Sequence, residues 1–368
     1  MANTLRNWVD RFMGRGDAAV TVPPLDGALK PNNLLEEAGY GLAVKAPDNL
    51  ALVQDHLFYS SGNKLYRKPV GEGLAEIIHE ASAPISAIAV SSEGILAVAA
   101  GKTIRFLSVG GAERPGFSQG EKDWSGITAM DFSPNGTLVV AIGSSKNAAD
   151  DWQRDLLDDE KAGSVWRLDV KTGQATQLAE RLRYPNGLVV ELDGGVIVSE
   201  AWAKRLIRLN ATGGIAGGSR GQVMEDLPGY PARIARSKRG GYWLSVFAPR
   251  SQLIEFVLRE PVYRKAMMRD VDKEFWIAPA LRSGYSFREP MQGGALKQMG
   301  VLKPWAPTRS YGLVIELTPD FTPLRSFHSR AGGKRHGVTS AVEANGHLWA
   351  TSKGGDELVA ISLDAERK

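Results

Sequence analysis

The chain has 368 residues, 43% apolar and 23% charged, which is enough to bury a large core in an ordinary globular protein. Its net charge of +4 is spread over scattered basic residues rather than a dense stripe, which argues against nucleic-acid binding. It contains no cysteine, so disulfides, thiolate metal sites and cysteine nucleophiles are excluded.

Residues 1–20 form an N-terminal extension. Leu5, Trp8, Val9, Phe12 and Met13 fall at helical spacing and predict a short amphipathic helix. Such a helix packs on the outside of the domain or docks a partner or membrane. The segment lacks the continuous apolar core of a signal peptide. No stretch reaches the roughly 20 apolar residues of a membrane span. The expectation is a soluble, cytoplasmic protein.

Residues 21–368 read as one all-β domain built from a repeat. An apolar strand, a turn with Gly, Asp or Asn, and a second apolar strand recur six times. The pairs are 47–52 with 56–61, 88–94 with 95–98, and 130–136 with 137–140. They continue as 188–194 with 196–199, 234–240 with 242–245, and 339–346 with 347–350. Third strands follow most copies, as at 103–107, 164–168, 205–209 and 357–361. The shorter spacings, about 40 residues, match one four-stranded blade. The pattern predicts a six-bladed β-propeller, with Gly41–Lys45 supplying the missing outer strand of the last blade and removing its free edge.

Two insertions interrupt the repeat. Residues 144–163 are polar, rich in carboxylates and include Trp152. In 260–310, Tyr263–Asp270 and Glu274–Ile277 read as helical, and Met291–Met299 as a loop or short helix. Long insertions in a compact fold serve as lids or as decoration.

Aligning the copies on their turn glycines brings Asp48, Ser86, Thr128, Asn186, Ala232 and Gly337 to the start of the innermost strands, where they ring one end of the tunnel. Polar groups from several blades converge there, as in a ligand site. Tyr184-Pro185-Asn186 and Tyr230-Pro231-Ala232 repeat one motif in consecutive blades. Asp48, Asn49 and Asn186 offer oxygens to Ca²⁺ or another divalent cation, or else cap turns. Glu200 interrupts an apolar strand and needs a partner such as Arg205 or Arg208. His336 precedes the sixth inner strand, where an imidazole serves as acid, base or structural group.

These motifs resemble the strictosidine synthase-like family, within the wider group of gluconolactonase/regucalcin and paraoxonase propellers. The resemblance rests on residues 184–190, 198–202, 205–209, 227–231 and 337–343, and spans about 20–365. In the calcium-dependent lactonases of that group an acidic residue precedes the first inner strand, where Asp48 and Asn49 stand. Their fourth-blade asparagine corresponds to Asn186. Their third-blade asparagine falls at Ile127 or Thr128, and their fifth-blade aspartate at Ala232 beside Arg233. About half the metal shell is thus missing, and Arg233 opposes a cation. The catalytic glutamate of strictosidine synthase corresponds to Thr339.

The resemblance implies a hydrolase-like enzyme acting on a lactone, ester or related small metabolite, anionic where Arg233 contacts it. In that expectation Asp48, Asn186, Tyr184, Tyr230, Trp152 and Thr339 contact the substrate, Arg233 stabilises negative charge, and His336 or Glu200 transfers protons. The alternative is a non-catalytic ligand-binding or scaffold propeller.

Overall fold

Period-2 strands that are apolar on both faces must be covered on both sides, and a ring of radially stacked sheets satisfies this without long exposed edges. The computed structural model describes residues 22–120, 122–216, 221–286, 289, 297–298, 301–302 and 309–363. The N-terminal helix expected in 1–20 lies outside the described residues.

Six antiparallel sheets follow one another along the chain. Blade 1 comprises Pro47–Val53, His56–Ser61, Lys64–Pro69 and Glu76–Glu80. Blade 2 has three strands, Ile85–Val90, Ile95–Ala100 and Thr103–Ser108. Blade 3 comprises Ile127–Phe132, Leu138–Ile142, Gly163–Leu168 and Ala175–Leu182. Blade 4 comprises Pro185–Val190, Val196–Glu200, Arg205–Leu209 and Gln222–Met224. Blade 5 comprises Gly229–Arg236, Tyr242–Pro249, Gly312–Leu317 and Pro323–Ser329. Blade 6 comprises Val338–Ala344, His347–Ser352 and Glu357–Ser362, with Tyr40–Ala43 paired outside the last of these, Tyr40 opposite Ala360.

The ring is held by apolar burial between neighbouring sheets. Phe58 and Leu65 pack on Leu96 and Val98 between blades 1 and 2. Ala97 and Phe106 meet Ile127 and Val140 between blades 2 and 3. Val139 and Val165 meet Val198 and Ile207 between blades 3 and 4. Ile197 and Leu206 meet Leu244 and Ile315 between blades 4 and 5, and Trp243 and Phe327 meet Leu348 and Val359 between blades 5 and 6. Tyr59 and Trp349 share the cluster that joins blade 6 back to blade 1. Each fully buried Leu, Ile or Val contributes about 1.5–3 kcal/mol.

An arm ahead of Tyr40 straps onto blades 5 and 6. Leu35 and Glu36 donate their amides to the His328 carbonyl, and Asn32 donates to the Ser326 carbonyl. Arg335 donates to the carbonyls of Leu35, Glu36 and Ala38 and pairs with Glu357.

Both insertions join the second strand of a blade to its third, so both emerge at the end where the inner strands begin. The first carries helix α1, Trp152–Asp158; the second carries α2, Gln252–Arg259, and α3, Pro261–Asp270. Ser251 caps α2 by accepting from the Ile254 amide. Leu157 of α1, Val257 of α2, Met267 of α3 and Trp276 form one small core, so the two insertions make a single cap. The second insertion therefore turns helical earlier than residue 260, and Glu274–Ile277 contributes only a short 3-10 turn, Lys273–Phe275. Of Met291–Met299, Lys297–Gln298 pairs with Val301–Leu302, and the remainder lies outside the described residues. Among the described residues no helix is long and apolar enough to cross a membrane.

Candidate functional site

Every inner strand slips register at the same height, near its first residues. The ladder skips Asn49 and Leu50 in blade 1, Ser86 in blade 2, Thr128 in blade 3 and Asn186 in blade 4. It skips Ala232 and Arg233 in blade 5 and Thr339 in blade 6. A bulged residue leaves the ladder, so its polar groups need other partners. Six bulges around one axis therefore make a polar tunnel mouth. At Asn186-Gly187 the close approach of blade 5 demands glycine: a Cβ on Gly187 would stand 2.4 Å from the Ala232 carbonyl oxygen and 2.6 Å from the Arg233 Cα.

Arg233 crosses this mouth from blade 5. It donates to Asp48 Oδ1 in blade 1 at 2.5 Å, to the Ser86 carbonyl in blade 2 at 2.9 Å and to the Thr128 carbonyl in blade 3 at 3.1 Å. Asp48 also accepts from Lys353 Nζ at 2.7 Å and from the Thr339 hydroxyl at 2.8 Å. Although burial opposes its charge, Arg233 and Lys353 together hold the Asp48 carboxyl well below the usual carboxylate range. Asp48 is an ionised anchor, not a proton acceptor.

Above this cluster lies a cavity of about 340 Å³. Asp48, Arg233, Lys353 and Thr339 line its polar side, and Trp152, Tyr184, Phe247 and Leu281 its apolar side. Trp152 comes from the first insertion and Leu281 from the second, so the cap forms part of the wall. Trp152 meets Phe247 edge to face at 5.3 Å. Tyr184 is held at φ 57°, a left-handed conformation unusual for an aromatic residue. Its ring stacks on Trp202 at 4.5 Å and its hydroxyl donates to the Ala149 carbonyl, tying blade 4 to the cap. Burial raises the Tyr184 phenol far above its ordinary pKa, so it stays neutral. Asp150, at the cavity rim, is exposed and has no hydrogen-bond or ion-pair partner among the described residues.

The sequence-expected residues divide accordingly. Asp48, Asn186, Arg233, Tyr184, Trp152 and Thr339 line one cavity. Glu200, His336, Tyr230 and Asn49 do not. Glu200, 1% exposed, accepts from the Arg183 amide and pairs with Arg205 at 2.6 Å, so its charge is consumed inside blade 4. His336, 4% exposed, bonds Ser310 through Nδ1 and the Arg330 carbonyl through Nε2, and burial lowers its pKa. Ser310 also meets Ser283, so His336 ties the neck of the second insertion and lies outside the cavity lining. Tyr230 packs behind Trp202 and Phe247 and bonds Glu255. Asn49 turns its amide to Ser60 and the Ile85 carbonyl. Lys353 was not singled out from the sequence. It follows the second strand of blade 6, and the second-strand ends reach the mouth as surely as the first-strand starts.

The donor set does not suit Ca²⁺. Both Asp48 oxygens are engaged by cations, Asn49 commits its amide nitrogen to Ser60 and the Ile85 carbonyl and does not line the cavity, and Asn186 donates to the Pro231 carbonyl at 3.3 Å. The guanidinium takes the two inward carbonyls that remain. Among the described residues no group of three or more His, Cys, Asp or Glu side chains is placed to hold a metal ion.

Residues 128–213 match the family model described as strictosidine synthase. That segment carries the bulges at Thr128 and Asn186. Adipocyte plasma membrane-associated protein of Danio rerio is 27% identical over 236 residues, 61% of this chain and 49% of that protein. Protein STRICTOSIDINE SYNTHASE-LIKE 1 of Arabidopsis thaliana is 27% identical over 118 residues, 32% of this chain and 30% of that one. The chain thus spans about half or less of the length of these relatives. The structure of a calcium-binding protein, regucalcin, from Agrobacterium tumefaciens superposes with a TM-score of 0.51 at 12% identity, covering 84% of this chain and 82% of that one. At that identity the likeness concerns the fold. In its matched segment and in its relatives the chain is similar to strictosidine synthase-like proteins, and its six blades share the fold of the regucalcin propeller.

Proposed function

We propose that the chain binds a compact small molecule at the tunnel mouth, without a divalent cation, and that the ligand carries an apolar body and an anionic or carbonyl-bearing end. One observation carries this reading: two cations, Arg233 and Lys353, share the single carboxylate Asp48 on the polar side of an aromatic-walled cavity. The cluster retains one net positive charge. Lys353 spends one of its three donors on Asp48, and its side chain is 35% exposed, so it can meet a ligand oxygen. Trp152, Phe247 and Leu281 would cover the apolar body.

A hydrolytic reading of the same cavity is favoured by Asp150. Lys353 would polarise the carbonyl of a lactone or ester, and the unpaired Asp150 carboxylate would orient the attacking water. Calorimetric titration with a panel of small carboxylates, lactones and esters, with and without chelator, tests both readings. Lys353→Met is expected to weaken binding about 10-fold or more, the loss of one charge-assisted hydrogen bond, while Asp48 stays paired with Arg233. Chelator is expected to change nothing. Unaltered affinity in Lys353→Met, or binding abolished by chelator, would overturn the proposal. Turnover lost in Asp150→Asn with binding retained would establish hydrolysis.

A further inference from the structure

The bulges that open the tunnel mouth free backbone carbonyls from the ladder, and most find nearby partners. The Pro185 carbonyl accepts from Thr128, the Pro231 carbonyl from Asn186, and the Ala232 carbonyl from Ser199. The carbonyls of Ser86 and Thr128 go instead to one guanidinium, together with a carboxylate oxygen of Asp48. A carboxylate and converging carbonyls from separate elements are what a hard cation is bound by. Here blades 1, 2 and 3 supply the oxygens, and blade 5 supplies the cation on a tether.

We propose that Arg233 is a built-in cation whose positive charge and fork of donors hold four blades at the tunnel mouth, and that removing it turns the mouth into a binding site for a free cation. The observations favour this over an ordinary surface ion pair. The guanidinium bonds residues 185, 147 and 105 positions away in sequence, one on each of three other blades. Its side chain is only 17% exposed. A planar fork satisfies three divergent acceptors in a way an ammonium cannot. Without it, Asp48 Oδ1 and two carbonyls converge on an unfilled space. Lys353 remains on the other Asp48 oxygen, so the space keeps part of its negative character. The inference does not depend on the ligand proposed above.

The test is thermal unfolding and calorimetric titration of chelator-treated wild type, Arg233→Ala and Arg233→Lys, each with CaCl₂, MgCl₂ or guanidinium chloride at about 10 mM. The wild type is expected to show no binding heat and no shift. Arg233→Ala is expected to melt several degrees lower and to regain about 2 °C with guanidinium or Ca²⁺, the rise produced when ligand exceeds its dissociation constant roughly tenfold. Arg233→Lys is expected to retain part of the wild-type stability and to respond less. If Arg233→Ala folds only when one of these cations is present, that outcome is the same result in stronger form. Ca²⁺ binding to the wild type at this site would overturn the proposal. So would an Arg233→Ala protein that responds to neither cation, or that neither cation restores to folding.

Discussion

The two ends of the tunnel each hold an inner-strand aspartate, and the two titrate in opposite directions. At the mouth, Asp48 has two cations at ion-pair distance and stays ionised. Toward the far end of blade 3, Asp131 accepts one hydrogen bond from the Val190 amide, while Arg236 donates to the Val190 carbonyl. Burial pushes its carboxyl up to about 6, because the Val190 and Phe132 amides and the Arg236 charge do not replace lost water. The same side chain on the same kind of strand is thus an anchor at one end and a strained charge at the other. Contact with a cation, more than depth, decides which.

The largest expected effect follows from breaking the mouth. Asp48→Ala leaves Arg233 and Lys353 facing each other without an anion, and urea unfolding at pH 7 should show a loss of about 3 kcal/mol. In the wild type the Asp48 contribution is present at neutral pH and is lost as pH falls below about 4, because the unfolded chain then takes up the proton first. Asp131 acts the other way. Its folded form holds the proton more tightly, so its effect lowers stability as pH rises from about 4 to 6. Asp131→Asn keeps an acceptor for the Val190 amide, removes the charge and should stabilise the protein by about 1–2 kcal/mol at pH 7. It should also flatten the stability profile between pH 4 and 6; an unchanged profile would mean that Asp131 is adequately solvated. The smallest effect belongs to Arg236→Met, which takes away the favourable charge near Asp131. A further upward shift of the Asp131 titration with about 1 kcal/mol or less of lost stability is expected, read from the acid arm of the same profile.

The blades were legible in the sequence because each copy combines an apolar run with a turn glycine, and burial on both faces admits few other uses for such strands. Four of the six expected mouth positions, Asp48, Ser86, Thr128 and Asn186, line the cavity for the same reason, whereas blades 5 and 6 contribute Arg233 and Thr339 in place of Ala232 and Gly337. Side-chain assignments fared unevenly. Glu200 reads both as a candidate catalyst and as a buried carboxylate needing an arginine, and the fold pairs it with Arg205; His336 stands alone in its local sequence, yet Ser310 satisfies it in the fold. Ser310 lies 26 positions from His336, across the end of an insertion whose packing no local pattern reveals. Helix α1 left a fainter trace: Trp152, Leu156 and Leu157 stand among polar residues, and only the fold shows Leu157 packing on α2 and α3 while Trp152 and Leu156 join Tyr184 and Trp202. Lys353 escaped because loops after second strands carry no motif.

The strap that runs from Leu35 to Ala43 has a consequence for the order in which the molecule comes together. Tyr40 finds its ladder partner at Ala360, more than three hundred positions later, and Arg335 fastens the same arm from nearby in blade 6. During synthesis the arm leaves the ribosome before blade 6 and waits for it. Until then the groove between blades 1 and 6, with Tyr59 on one side and the Trp349 side absent, has no cover. Closure of the ring is therefore a long-range event that every other blade precedes, and it is the step at which a nascent chain of this design is most exposed to misassembly.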